Sequence, residues 1–479
     1  MSEARTSEAR TSDAREKRRI GPRGRRTPGS RLGLRNLHAM LRHPLAFLVH
    51  LAEAHGDVVE LPLLTQDWLV LNHPDDVEAL LVTHHASLQR DEFAVYLRQV
   101  LGEGLLTSDG ELWKRQRRLS ATAFTPKRIK SYAAAMSAVT ARGLDRVVPG
   151  EIVRLHEVMA RLTMEVVAEV LFGAGVTEED VQRVSHAMTL MNRLLANSPE
   201  AALRLPTWVP TPNHRAALAA LRGLDALIHR IIEERRRGEP RDDLLSALLA
   251  AVDEDGSRMS DTQLRDETLT LFLAGHETTS LALTYALELL ARHPEVRRRV
   301  EAEVDDVLGG RLPTADDVPR LALTERVIKE AMRLHPPAWI VGREVAKPIE
   351  IAGVAIAPGT QVMVSQWLVH RDPRWWPRPE AFDPDRFLPE VAKTRPRFAY
   401  FPFGGGPRVC IGNHFAMMEA VLMLSLVVSR FEVELLPFEA LRFSPSITLQ
   451  PADGGVRVRF VPRRASTAPR VQGAASEPR

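Results

Sequence analysis

The 479-residue chain has one cysteine, Cys410. A single thiol excludes an intramolecular disulfide, a four-cysteine zinc site and a four-thiolate iron–sulfur cluster. Nowhere do about 18 apolar residues run uninterrupted, so no transmembrane helix is expected. The N-terminus has no apolar core of about 7–15 residues, so no signal peptide is expected and a cytoplasmic protein fits. Aromatic residues are scarce at 5%, and the plentiful Leu, Ala, Arg and Glu favour helix. Charge of one sign is scarce too, with a net of +3. Residues 1–36 hold eleven Lys/Arg and four Asp/Glu, a net of +7, so the remainder sums to −4. The basic balance belongs to a tail, which excludes reading the whole chain as a nucleic-acid binder.

That tail repeats Ser2-Glu3-Ala4-Arg5-Thr6 as Ser7-Glu8-Ala9-Arg10-Thr11 and has almost nothing to bury. Residues 1–36 and 463–479 are therefore expected to be disordered. Residues 37–462 contain no low-complexity linker and read as one domain, mainly α with small β-sheets. Asp57 to Asn72 reads as a hairpin, and strands are expected at Ile349–Ile351, Val354–Ile356, Gln361–Val364, Phe431–Leu435 and Ile447–Phe460. The longest helix begins at a capping box, Ser260-Asp261-Thr262-Gln263, and stops at His293-Pro294.

Cys410 ends the stretch Phe403-Gly404-Gly405-Gly406-Pro407-Arg408-Val409-Cys410, followed by Ile411-Gly412 and an apolar helix. A lone cysteine is ordinarily a small buried hydrophobe. Here a glycine loop feeding a helix is expected to bring backbone N–H groups and the positive helix end to the sulfur, favouring thiolate. Gly404, Gly405 and Gly406 would let the backbone turn under a flat group, Phe403 would shield the sulfur, and Arg408 suits a carboxylate. The loop matches F-x-x-G-x-R-x-C-x-G and resembles the heme-binding loop of the cytochrome P450 family. The resemblance implies heme b (iron protoporphyrin IX), with Cys410 as the iron's axial ligand and Ile411 and Gly412 beside it. The implied fold is a helix-rich lobe and a small β-rich lobe around that heme.

Inside the long helix, Ala274-Gly275-His276-Glu277-Thr278-Thr279 interrupts an apolar pattern. Threonines there are ordinarily solvated or bonded to the preceding turn. The stretch also resembles the family's distal A/G-G-x-D/E-T-T element, where the helix distorts over the heme. That implies Glu277 and Thr278 as the proton-delivering acid–alcohol pair, with Ala274 and Gly275 leaving room for dioxygen and substrate. His276 is read as a packing or relay residue. Glu330 and Arg333 match the family's E-x-x-R helix and, with Arg386, imply a buried ion network anchoring the cysteine loop. Trp113, Arg117 and Arg343 fall where relatives bind the heme propionates.

The resemblance implies a monomeric heme-thiolate monooxygenase that inserts one atom of dioxygen into an apolar molecule: a terpene, fatty acyl chain or polyketide-like compound. Electrons would come from separate proteins, a ferredoxin with its reductase or a flavodoxin. Lys114, Arg115 and Arg118 are a candidate docking patch for an acidic partner. A peroxygenase or isomerase on the same fold, or a heme-binding sensor, is the alternative, and the acid–alcohol pair argues against each. Substrate selectivity is expected from Arg90–Leu106, Leu190–Trp208, the Ala274 turn, Ala338–Val341 and Ser446–Leu449. Phe93, Leu97, Leu101, Ile340, Val341 and Ile447 are the candidate pocket residues.

Overall fold

Ser260 opens the longest helix with both halves of a capping box. Its hydroxyl accepts from the Gln263 N–H at 3.2 Å, and the Gln263 side chain accepts from the Ser260 N–H at 3.1 Å. In the computed structural model this helix spans Asp261–Arg292 and stops before Pro294, as the sequence pattern requires. The structure describes residues 25–26, 33–63, 66–173, 209–238, 241 and 243–463, with isolated positions 179, 180, 183, 187 and 190.

The helices that frame the molecule are α1 (Leu34–Arg42), α2 (Pro44–His55), α3 (Glu92–Leu101), α4 (Gly110–Ala121), α5 (Pro126–Asp145) and α6 (Leu155–Phe172). After them come α7 (Pro212–Arg237), α8 (Leu244–Ala250), the capped helix α9 (Asp261–Arg292), α10 (Pro294–Leu308), α11 (Ala322–Leu334) and α12 (Asn413–Arg430). Helix α9 is packed by α6, α11 and α12, which is why Leu281 to Leu290 is buried on every face.

Six strands form the larger sheet: β1 (Arg25–Arg26), β2 (Val58–Leu63), β3 (Gln66–Leu71), β4 (Leu88–Gln89), β6 (Val341–Val345) and β9 (Gln361–Val364), in the order β1-β2-β3-β9-β6-β4. The expected hairpin is β2–β3, in register Val59 to Val70 and Leu61 to Trp68. A second sheet joins β5 (Ile152–Arg154) to β13 (Arg457–Pro462) and β10 (Phe431–Leu435). Two small pairs remain, β7 (Ile349–Ile351) with β8 (Val354–Ile356), and β11 (Phe443–Pro445) with β12 (Leu449–Pro451).

Two boundaries differ from expectation. Strand β1 pairs with β2, and α1 starts at Leu34, so order begins inside the stretch read as a tail. Arg463 is likewise fixed, by Asp305 at 2.8 Å and the Val428 carbonyl at 2.7 Å. The rest of both tails lies outside the described residues. Ile447–Phe460, expected as one strand, divides into β12 and β13 because Asp453, Gly454 and Gly455 take φ of 55°, 74° and 87°. Among the described residues no helix is long and apolar enough to cross a membrane.

Candidate active site

The loop carrying Cys410 is seated by contacts that only glycine allows. Gly406 has φ +65°, and a Cβ there would lie 2.0 Å from the Leu81 carbonyl oxygen. A Cβ at Gly405 would lie 2.4 Å from the Phe398 ring. Gly404, at φ +72°, faces open space. This corrects the expectation that all three clear a flat ligand: Gly405 and Gly406 clear protein neighbours. The Cys410 N–H donates to the Phe403 carbonyl at 3.0 Å, and Phe403 packs against the main core. Ile411 and Gly412 are partly buried where the loop enters α12.

Behind the loop lies a buried ion network. Arg333 donates twice to Glu330, at 2.7 and 2.8 Å, and both side chains are fully buried. Arg386 stands 3.4 Å from Glu330, whose Oε1 also accepts from the Asp383 N–H at 2.9 Å. Arg333 further donates to the His370 carbonyl at 3.0 Å, and His370 Nε2 accepts from the Phe401 N–H at 2.9 Å. Burial and the Arg333 and Arg371 charges hold His370 far below its ordinary pKa, so its neutral ring is free to accept. The network thus reaches the chain two residues before Phe403.

Burial pushes the Cys410 thiol above its ordinary pKa, while the Gly412 N–H and the Arg117 charge pull it down. Desolvation is the larger effect. The loop N–H favours thiolate as expected, burial opposes it, and a cation at the sulfur would tip the balance toward thiolate. The cysteine nevertheless has accessible surface. A group that is both desolvated and accessible lines a void walled by protein. Among the described residues no three His, Cys, Asp or Glu could together hold a metal. An iron at Cys410 must bring its other ligands with it, as a porphyrin does.

The cationic wall fits the rest of that group. Arg408 donates to the Ser108 carbonyl at 3.1 Å and to Asp109 at 2.5 Å, and its guanidinium lies 4.2 Å from the centre of the Trp113 ring. Arg343 donates to the Gly342 carbonyl at 2.6 Å and feels the charges of Asp91 and Asp109. Arg90, which sequence reasoning missed, feels Arg343, Arg408 and both aspartates, and donates to the Leu105 carbonyl at 2.8 Å. Gly342 must be small, since a Cβ would fall 1.8 Å from Asp91 Oδ2. Arg90, Arg343 and Arg408 meet Asp91 and Asp109, while Arg117 acts on Cys410. Guanidinium groups in excess over carboxylates suit the propionates of heme. No local pattern marks Arg90, because Arg343 and Arg408 reach it only from segments far away in the chain.

Helix α9 stays helical through 274–279, so the expected distortion is not seen. Room comes from Ala274, which is exposed between buried Leu273 and His276. Gly275 turns elsewhere: a Cβ there would touch Val167 of α6 at 3.4 Å, so its smallness serves helix packing. The Thr278 hydroxyl donates to the Ala274 carbonyl at 2.8 Å. Glu277 Oε1 accepts from Thr448 Oγ1 and Gln450 Nε2, each at 2.7 Å, which ties the acid to β12. The negative charge of Glu277 acts on two histidines that burial pushes down, His276 and His156, the latter to about 4. The His276 ring leans on Phe272, 5.9 Å between centroids, so it serves packing as well.

Of the expected pocket residues, Leu97 and Leu101 belong to the core, each 3% exposed, because α3 turns that face onto the main hydrophobic cluster. Phe93 is exposed. Ile340, Val341 and Ile447 are partly buried, each against a different hydrophobic cluster. Most of the Leu190–Trp208 segment lies outside the described residues. Glu267 of α9 was not anticipated: its Oε2 accepts from the Leu105 N–H at 3.2 Å, and burial pushes its carboxyl up to about 8. The basic patch is thinner than expected, because Arg115 and Arg118 both pair with Asp253, at 3.1 and 3.2 Å. Lys114 pairs with Glu111 at 2.7 Å and stays exposed.

A family model described as Cytochrome P450 matches residues 28–454. Cyclooctatin synthase of Streptomyces melanosporofaciens is 40% identical, over 86% of this chain and 91% of its own. Pentalenene oxygenase of Streptomyces avermitilis is 37% identical, over 83% and 88%. Among solved structures, the cytochrome P450DA heme domain superposes with a TM-score of 0.80 at 30% identity, covering 92% of this chain and 98% of that one. Retinoic acid-bound cyanobacterial CYP120A1 also gives 0.80, at 26% identity, covering 89% and 96%.

Proposed function

The chain belongs to the cytochrome P450 family, and on that premise we propose that it is a monooxygenase hydroxylating a terpene-like hydrocarbon with electrons from a separate ferredoxin and its reductase, or from a flavodoxin. Its cofactor is heme b. The observations that carry the site assignment are the accessible yet desolvated Cys410 thiol, on which the Arg117 charge acts, and the cluster of Arg90, Arg343 and Arg408 against Asp91 and Asp109. Cys410 would ligate the iron, and Arg343, Arg408, Arg117 and Arg90 would hold the propionates, with Trp113 fixing Arg408 by stacking. Phe403, Gly404, Ile411 and Gly412 would shape the proximal side. Bound there, heme supplies dioxygen activation, which no protein side chain provides.

The protein supplies position and protons. The Thr278 proton is engaged by the Ala274 carbonyl, so the hydroxyl oxygen offers its lone pairs to a donor in the space beside Ala274. Glu277 is held in place by two neutral donors, Thr448 Oγ1 and Gln450 Nε2. We assign it as the group passing protons toward Thr278, a role that general acid–base chemistry needs close to the reacting oxygen. Ala274 leaves room for substrate, while Gly275 acts indirectly by seating α9 on α6.

Two relatives are named for pentalenene and for cyclooctat-9-en-7-ol, an alkene and an alkenol, which favours the terpene class over fatty acyl or polyketide-like compounds. One cysteine leaves this chain unable to ligate a four-thiolate iron–sulfur cluster, which supports a separate electron donor. Titrating the ferric protein with cyclic hydrocarbons, fatty acids and macrolides should shift the heme spin state with the hydrocarbons. NADPH with a surrogate ferredoxin system should then yield an alcohol. A shift with fatty acids alone would overturn the substrate class. Peroxide-driven turnover with none from NADPH would overturn the electron source.

A further inference from the structure

Helix α12 follows the cysteine loop, and Glu419 lies within it, nine residues beyond Cys410. Its side chain has no exposure, and neither carboxyl oxygen has a hydrogen-bond partner of full geometry among the described residues. Such a group is expensive: a buried carboxylate without a cation or donor ordinarily neutralises instead. A second polar group in the same condition sits on α9, which packs against α12. It is Thr279, 3% exposed, whose hydroxyl also lacks a partner of full geometry. Thr279 belongs to the same motif as Glu277 and Thr278, yet the reading of that motif gives it no role. The two orphans answer each other. Among the described residues the Thr279 hydroxyl is the side chain that acts on Glu419, and it offsets only part of the burial that pushes the carboxyl up to about 8. The charged groups on the helices around it do not register there: Glu277 and Glu288 on α9, Asp145 on α5, Arg297 and Glu301 on α10, and Glu330 and Arg333 on α11.

We propose that Glu419 is carried as the neutral acid and donates its proton to Thr279 Oγ1. This hydrogen-bonded strut fixes the turn bearing Glu277 and Thr278 against the helix that follows Cys410. The strut is a positioning device: its members touch neither substrate nor the reacting atoms. It holds the two sides of the site at one spacing without placing a charge between them. A carboxylate there would need a counter-ion, and an apolar pair would leave the register of α9 on α12 to packing alone.

The test is infrared spectroscopy of the heme-loaded protein at neutral pH, wild type against Glu419→Gln and Thr279→Val. The wild type should show a protonated-carboxyl C=O band that is missing from Glu419→Gln. In Thr279→Val that band should shift in frequency. Glu419→Gln keeps a donor and an acceptor, so its product formed per NADPH should stay within about twofold of wild type, the span of a weak hydrogen-bond change. Thr279→Val should lower that ratio while leaving the thiolate-type spectrum intact. No Glu419-dependent band, or a band that Thr279→Val does not move, would overturn the strut. Unchanged coupling in Thr279→Val would overturn its positioning role.

Discussion

Among the described residues Glu267 and Glu419 have no cationic partner of their own, and burial pushes each carboxyl to about 8 from an ordinary 4.5. In the unfolded chain both lose their protons near the ordinary value, while the folded protein retains them. Their contribution is therefore full below pH 4.5 and is lost as pH rises through the window up to 8. At neutral pH each opposes folding by about 3 kcal/mol, taking ~1.4 kcal/mol per pH unit. Glu419→Gln should flatten that part of the curve. Denaturant midpoints measured from pH 5 to 8 should fall more steeply in wild type than in the variant, and parallel curves would contradict the assignment. Glu330 is also buried, but it is matched by Arg333 and Arg386, so removing it strands two cations and costs about 3–5 kcal/mol. Cys410, Glu277 and Thr278 stood out in the sequence because each breaks a local pattern. Arg90, Asp109, Thr448 and Gln450 did not, because their roles depend on chain segments brought together only by folding.

At the scale of elements, the features that could be read in advance are the ones written locally. The capping box of α9, its stop at Pro294 and the β2–β3 alternation each need only neighbouring residues. Ser260→Ala removes the hydroxyl that accepts from Gln263 N–H and should cost about 1 kcal/mol, seen as a lower denaturant midpoint with unchanged slope. The course of α9 over the site was harder to foresee. Its motif implied a distortion, yet the helix continues, and the space beside Ala274 arises from a short side chain. Gly275 and Gly405 looked like residues making way for a ligand. Their neighbours, Val167 and Phe398, are 108 and seven positions away, and no spacing rule identifies them. The division of Ile447–Phe460 followed from Gly454-Gly455, a turn signal inside an apolar stretch.

Across the whole molecule, the fold class was legible from composition and motif order, whereas the surface was not. The basic run on α4 looked like an open docking patch, but Asp253 pairs with both Arg115 and Arg118. Exposed Lys114 is left as the residue to test for steering an acidic electron donor, since exposed pairs such as its contact with Glu111 are worth little. Lys114→Glu should slow reduction by such a donor most at low salt, in stopped-flow traces, with the unfolding midpoint unchanged. Arg115→Glu should instead lower that midpoint, because it sets two acids against each other. Equal reduction rates for Lys114→Glu and wild type at every salt level would remove this face from consideration.

The central claim is that Cys410, through its sulfur, holds the iron of a heme seated on the arginine wall. The most direct measurement is the absorption spectrum of the reduced, carbon-monoxide-bound protein, taken for the wild type and for Cys410→Ala reconstituted with heme. The account predicts a thiolate-type Soret shift in the wild type and its loss in Cys410→Ala while heme remains bound. A wild-type complex without the shift, or a variant that keeps it, would contradict the account.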